Sequence, residues 1–445
     1  MNFDFLIKDK HSLCVSTDTR NLKEGCVFVA LKGERFNGNL FATQALEMGA
    51  AYAIVDEAIP VTCSQSSCYK GRIIKVENSL LALQELAREW RQTFDIPVLA
   101  ITGTNGKTTT KELIATVLGT RYKVHYTQGN LNNQIGVPLT LLSMNHDTEI
   151  AIIEMGASHP GDIKELVDIA LPTCGLITNV GIAHLQGFGS FEGVKRTKAE
   201  LYDYLRNKNR YAEAARNNDF MGGFCFRNLD NPHLQEMAGD LKTIGYHTGT
   251  MPEGTHLVGS YNAENISAAI CVGEYFGIEP SQALKEIREY VPSNQRSECV
   301  RTNKNTLVVD AYNANPTSMQ AAILSFINQS PIPKGGGETE REYDNKTPLP
   351  LGRGQGVRSF ILGDMLELGE YSHTAHQNIV NLLLEQKEND VYLVGNEFAS
   401  TTAPYKVFRT TDEALEYFTQ NPISGKTILL KGSHGMHLEK LLPLF

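Results

Sequence analysis

One stretch limits the possible folds more than any other: "VLAITGTNGKTTTKELI", residues 98–114. An apolar, strand-like run ends at Thr102, a glycine-bounded turn follows, and a helix is expected from about Thr108, with Leu113, Ile114, Val117 and Leu118 at helical spacing. Strand, tight turn and helix in that order bring main-chain N–H groups and the positive end of a helix dipole to one point, which attracts phosphate oxygens. Lys107 adds a mobile cation and Thr108 a hydroxyl suited to Mg²⁺. The spelling is shorter than the common G-x-x-x-x-G-K-[ST], since only two residues separate Gly103 from Gly106. A turn whose glycines serve geometry alone is the competing reading. The flanking strand and helix favour a nucleotide site instead, with Gly103, Thr104, Asn105, Gly106, Lys107, Thr108 and Thr109 as candidate ATP contacts.

The surrounding rhythm predicts an α/β fold. Apolar strands at "EIAIIEMG" (149–156) and "GLITNVG" (175–181) alternate with helical stretches, as in a mainly parallel, doubly wound sheet. The pattern starts three times, giving three expected domains: an N-terminal α/β substrate domain (1–94), a central ATP-binding domain (95–297) and a C-terminal Rossmann-like domain (298–445). A length of 445 residues agrees with that count at roughly 150 residues per domain. The Gly-, Pro- and charge-rich segment 331–358 reads as a disordered insertion.

A net charge of −9 argues against nucleic acid as a partner, although it permits an anionic small substrate. No apolar run is long enough for a signal peptide or a membrane span. The eight cysteines are scattered without a C-x-x-C pair, so neither a zinc site nor a disulfide framework is expected, and the chain reads as a reduced, cytoplasmic protein.

Ligands of open α/β sheets gather beyond the carboxyl ends of the strands. Glu154 closes one strand there, and His184 follows another. Together with G-T-N-G-K-T-T, the segments "IIEMGAS" and "TNVGIAHL" resemble the Mur ligase family, whose members add amino acids or peptides to a growing chain. The resemblance implies that Thr108, Glu154, His184 and a carbamylated lysine hold Mg²⁺, and that Lys107, Glu154, His184 and Lys198 form the catalytic set. Lys198 in "RTKAEL" matches the family's modified lysine, with Lys195 as a competing assignment. The family pattern further implies Asn262, Asn265, Arg296, Asp310 and Asn313 as ATP contacts. As substrate contacts it implies Asn130, Asn132 and Asn133 in "GNLNNQIGVP", Thr19, Arg20, Lys32 and Arg35 for a UDP group, and Asp364 and Lys431 in the last domain.

Within the family, "VVDAYNANPTSM", "ILGDMLELGEYSHTAH" and "LLKGSHGMHLEKL" are similar to the member that joins D-alanyl-D-alanine to a UDP-N-acetylmuramoyl-tripeptide. Asn315-Pro316 suits a helix N-cap and first turn. ATP and Mg²⁺ would be the cofactors, and the protein would act as a monomer. Alternatives are a sibling adding a single amino acid, a ligase that binds without turnover, or a phosphate-loop kinase or switch ATPase. Tyr261, Asn37 and Asn39, which depart from the family pattern, favour the second of these. The last leaves the outer domains unexplained.

Overall fold

A computed structural model describes residues 3–8, 10–34, 36–58, 69, 71–214, 223–292, 296–328 and 357–445. Three sheets organise it. The first has the order β1–β2–β5–β6, comprising β1 (Val15–Ser16), β2 (Val27–Val29), β5 (Tyr52–Val55) and β6 (Ile73–Lys75), with every pairing parallel. A small antiparallel hairpin, β3 (Lys32–Gly33) with β4 (Phe36–Asn37), stands beside it. Val15 lies opposite Val27, so the preceding residues, Cys14 and Cys26, also meet, and they form a disulfide. This corrects the expectation of a chain without disulfides: the two cysteines are neighbours through strand register, which their spacing in sequence does not reveal.

The second sheet has the order β12–β11–β10–β7–β9–β8 and is wholly parallel. Its strands are β7 (Val98–Thr102), β8 (Val124–Tyr126), β9 (Ile150–Glu154), β10 (Cys174–Ile177), β11 (Phe224–Asn228) and β12 (Thr243–Tyr246). Every residue of β7, β9 and β10 is buried, as expected of strands covered by helices on both faces. The helix Ser79–Gln92 lies between the first two sheets. Its buried Leu83, Leu86 and Trp90 join residues of both in one core, and the Trp90 indole donates to the Met144 carbonyl at 3.3 Å.

The third sheet runs β13–β14–β18–β15–β16–β17. It comprises β13 (Glu298–Arg301), β14 (Thr306–Asp310), β15 (Val357–Gly363), β16 (Val391–Val394), β17 (Lys406–Phe408) and β18 (Lys426–Lys431). Only β13 is antiparallel to its neighbour. The insertion expected at 331–358 lies outside the described residues except for its last two, which open β15 as ordinary strand. Among the described residues, no helix is long and apolar enough to cross a membrane.

Candidate active site

The turn after β7 is shaped by two glycines. Gly103 has φ +144°, and a Cβ there would lie 2.0 Å from Thr178 Oγ1. Gly106 has φ +79°, and its Cβ would lie 2.3 Å from Asn265 Oδ1. Neither position accepts a larger residue without displacing a buried neighbour. The N–H groups of Thr104 and Asn105 donate to the Asn179 backbone carbonyl and to Asn179 Oδ1, both at 3.0 Å. Those two amides are thereby turned toward β10. The groups left facing an incoming phosphate are the amides at the open N-terminus of the helix Lys107–Leu118. Lys107 folds back over the turn, donating to the Gly103 carbonyl at 2.8 Å and the Thr104 carbonyl at 3.3 Å. Burial holds its amine below the usual lysine range, opposed by the Glu154 carboxylate.

Glu154 is buried at the end of β9. Its Oε1 accepts from Thr108 Oγ1 at 3.2 Å and Asn132 Nδ2 at 2.8 Å. Its Oε2 has no hydrogen-bond partner and faces the ammonium of fully buried Lys111 at 3.7 Å. Lys111 also donates to the Thr127 carbonyl at 2.6 Å, tying the loop that carries Asn130 and Asn132 to the same carboxylate. Sequence reasoning passed over Lys111, although the unbroken "KTTTK" places it one helical turn beyond Lys107. Asn133 shapes the turn, its Oδ1 accepting from the N–H groups of Ile135 and Gly136 at 3.2 and 2.9 Å, and it lines the same cavity as Asn130 and Asn132.

His184 follows β10 in a left-handed conformation (φ +50°), and its Nδ1 is paired with the Glu367 carboxylate. Lys198 is buried, with its ammonium 5.9 Å from the centre of the Phe188 ring. Burial, and secondarily the charge of Lys107, hold its amine well below the ordinary lysine range. Lys195 instead reaches Glu236 at 2.5 Å, and Lys198 is the more deeply buried of the two, although it is not among the residues that line the cavity described below.

From the third sheet, Lys431 at the end of β18 donates to Asp310 at the end of β14 at 2.6 Å and to the Asn313 carbonyl at 3.1 Å. Arg296 lies over the Tyr312 ring, 4.0 Å from its centre. Asn265 accepts from Thr110 at 3.0 Å and donates to Asn262 at 2.8 Å, so it braces the phosphate turn from behind. One cavity of about 940 Å³ is lined by Lys107, Thr108, Glu154, His184, Arg296 and Asp310, together with Asn130, Asn132, Asn262, Asn265, Asn313 and Lys431.

Other candidates lie elsewhere. Asp364 does not line this cavity. Its oxygens accept from the N–H groups of Glu397 and Phe398, both at 3.0 Å, capping the short helix Asn396–Ala399 beside buried His376. Asp364→Ala is expected to lower stability by about 2 kcal/mol, the scale of a lost cap. Thermal unfolding together with the nucleotide KM checks this, and a changed KM at unchanged stability would restore Asp364 to the site. Thr19, Arg20 and Lys32 also lie outside the cavity. Arg20 pairs with Asp18 at 2.6 Å, and Lys32 pairs with Glu57. Arg35 lies outside the described residues.

Among the described residues, no three His, Cys, Asp or Glu side chains cluster as a self-sufficient metal cage. A hard cation here would draw on mixed donors, and Glu154 Oε2, which lacks a hydrogen bond, the Thr108 hydroxyl bonded to the same carboxylate and the His184 imidazole on the same cavity suit Mg²⁺ completed by phosphate oxygens.

The family model of the Mur ligase middle domain matches residues 101–273, and that of the Mur ligase family catalytic domain matches residues 13–91. The UDP-N-acetylmuramoyl-tripeptide–D-alanyl-D-alanine ligase of Bacillus subtilis (strain 168) is 35% identical, covering 96% of this chain and 92% of its own. The protein of the same name from Escherichia coli (strain K12) is 31% identical over 96% and 92%. The crystal structure of MurF ligase from Thermotoga maritima in complex with ADP superposes with a TM-score of 0.78 at 25% identity, covering 98% of each chain. Matched at 35% and 31% identity over 96% of its length by these two relatives, the chain belongs to the Mur ligase family.

Proposed function

We propose that the protein joins D-alanyl-D-alanine to the terminal carboxylate of a UDP-N-acetylmuramoyl-tripeptide at the expense of ATP, in peptidoglycan precursor synthesis in the cytoplasm. The observation that carries this reading is the convergence of Lys107, Glu154 and His184 from the central sheet with Asp310 and Lys431 from the third on one cavity. The relatives named for this reaction, matched over 96% of the chain, supply the substrates.

A carboxylate is a poor acyl donor, so the reaction needs activation. A carboxylate oxygen attacks the γ-phosphorus of ATP, the bond to the bridging oxygen breaks, and an acyl phosphate and ADP result. The neutral amine of the dipeptide then attacks the acyl carbon, inorganic phosphate leaves, and the new amide nitrogen loses a proton. Phosphoryl transfer asks chiefly for alignment and charge neutralisation. The Lys107 ammonium and the amides of its helix grip the terminal phosphates, while Asn130 and Asn132 border the incoming carboxylate. Arg296 and Asn262 face the rest of the nucleotide. Thr108, Glu154, His184 and Lys198 as its carbamate would hold Mg²⁺, which when bound supplies charge neutralisation at the phosphate oxygens. Carbamate formation requires a neutral amine to take up CO₂ and release a proton, and the lowered basicity of buried Lys198 supports that at ordinary pH. Residues 1–94, 95–297 and 298–445 then act as substrate-holding, ATP-binding and closing units of a monomer.

The test is phosphate release with mass spectrometry of the product. Release is expected only when UDP-muramoyl-tripeptide, D-alanyl-D-alanine and MgATP are all present, with a product heavier by the dipeptide less one water. Equal release with ATP alone would assign a switch ATPase instead.

A further inference from the structure

We propose that Glu367 is a positioning residue for His184, and that it completes the nucleotide site only when the C-terminal unit is docked on the central one. The proposal rests on the reading of His184 as part of the Mg²⁺–ATP site. His184 stands on the central unit, directly after β10 and at the start of the short helix Leu185–Phe188. Glu367 stands on the C-terminal unit, in the segment after β15, and is itself left-handed at φ +64°. Its carboxylate faces His184 Nδ1, its backbone carbonyl accepts from the Gln186 N–H at 3.5 Å, and both side chains line the cavity.

A carboxylate held in close ion-pair contact with Nδ1 draws the ring proton to that nitrogen. The lone pair then sits on Nε2, and the ring cannot turn that nitrogen away. Carboxylate partners of this kind orient ligating histidines generally, and their loss typically lowers metal affinity or activity by about 10- to 100-fold. Here the partner comes from a different part of the fold. Two more contacts span the same seam: Asn315 Nδ2 donates to Asn105 Oδ1 on the phosphate turn at 2.7 Å, and the Ile182 N–H donates to Thr317 Oγ1 at 3.2 Å. Withdrawal of the C-terminal unit would break all four together. The imidazole is therefore oriented for nucleotide chemistry only in the docked arrangement, which links closure to the assembly of the site. The Glu367 side chain is 62% exposed, so its removal leaves no hole in the core.

The experiment compares Glu367→Ala, Glu367→Gln and His184→Ala, with Glu370→Ala on the same loop as control, in the full-length enzyme. The readouts are kcat, KM for ATP, the Mg²⁺ concentration giving half-maximal rate, and the rise in unfolding temperature on adding MgADP. For Glu367→Ala, kcat is expected to fall by about 10- to 100-fold. Half-saturating Mg²⁺ should rise and the MgADP-induced thermal shift shrink, while KM for ATP and the ligand-free unfolding temperature stay near those of the parent. Glu367→Gln keeps an acceptor for Nδ1–H and should recover most of the rate, and adding Glu367→Ala to His184→Ala should cost nothing further. Two results would overturn the proposal while leaving the metal role of His184 intact: parental Mg²⁺ dependence in Glu367→Ala beside an impaired His184→Ala, or equal losses in the Ala and Gln variants with a lowered unfolding temperature. Parental Mg²⁺ dependence in His184→Ala itself would remove the reading on which the proposal stands.

Discussion

Lys107→Ala is expected to lower turnover about a thousandfold while the unfolding temperature holds or rises slightly. The loss follows from what the ammonium does in the reaction. As negative charge redistributes over the γ-phosphoryl oxygens and the leaving ADP, a fixed cation in a water-poor cavity stabilises the transition state more than the ground state. Single groups of this kind contribute about 10²–10³-fold or more. A factor of a thousand corresponds to about 4 kcal/mol of barrier.

The stability side follows from the direction of the pKa shift. Burial depresses the Lys107 amine in the folded protein, so at neutral pH the unfolded chain binds the proton more tightly than the native one. A group of this kind opposes folding below its ordinary pKa, and the opposition fades as pH rises toward that value. Removing the amine therefore removes a cost, and the Gly103 and Thr104 carbonyls it leaves border the cavity, where water can replace it. Lys107→Arg should fail almost as badly, because a broad planar guanidinium does not fit a turn closed by Gly103 and Gly106. Steady-state phosphate release and thermal unfolding decide the matter, and turnover within tenfold of the parent would take Lys107 out of the chemistry.

What the sequence disclosed and what it withheld divide along physical lines. Signals that act over a few residues were legible. The strand–turn–helix at 98–114 forms as expected, and Ser318 N–H donates to Asn315 Oδ1 at 2.9 Å, the cap expected from Asn315-Pro316. Strand ends were legible as places, but the directions of their side chains were not. Asp310 closes and Asp364 follows strands that flank β18. Asp310 meets Lys431 because register sets them side by side, whereas Asp364 lies one residue past its strand and against Gly395, where a Cβ would come within 2.1 Å of it. Only glycine lets that loop approach closely enough to take both oxygens. Local charge was misleading for a related reason: Arg20 and Lys32 look like free cations in the sequence, yet each has an acid beside it in space. Lys195 and Lys198 sit one turn apart on a helix, and a distant acid, Glu236, separates their roles by pairing with Lys195. The contacts across the seam, between residues as far apart as Asn105 and Asn315, depend on how whole units dock. No local pattern records that.

The second large effect is expected for Glu154→Gln, and it is of a different kind because it touches chemistry and stability together. The substitution keeps the shape. The amide oxygen of the new side chain can still accept from Thr108 and Asn132, but the second carboxylate oxygen is replaced by an NH₂ group facing the Lys111 ammonium. Turnover should fall by about 10²–10³-fold, with the Mg²⁺ requirement raised, because a neutral amide oxygen is a far weaker partner for a divalent cation than a carboxylate. Stability should fall by about 1–3 kcal/mol, since a buried ammonium loses one counter-charge and gains a donor it cannot use. The fall is limited because Glu112 remains 3.1 Å from Lys111. These two consequences can be separated. Combining Glu154→Gln with Lys111→Met removes the uncompensated charge, and should restore much of the unfolding temperature without restoring turnover. Recovery of turnover with stability would mean that Glu154 matters only as a counter-ion for Lys111, and the carboxylate would then have no place in the nucleotide site.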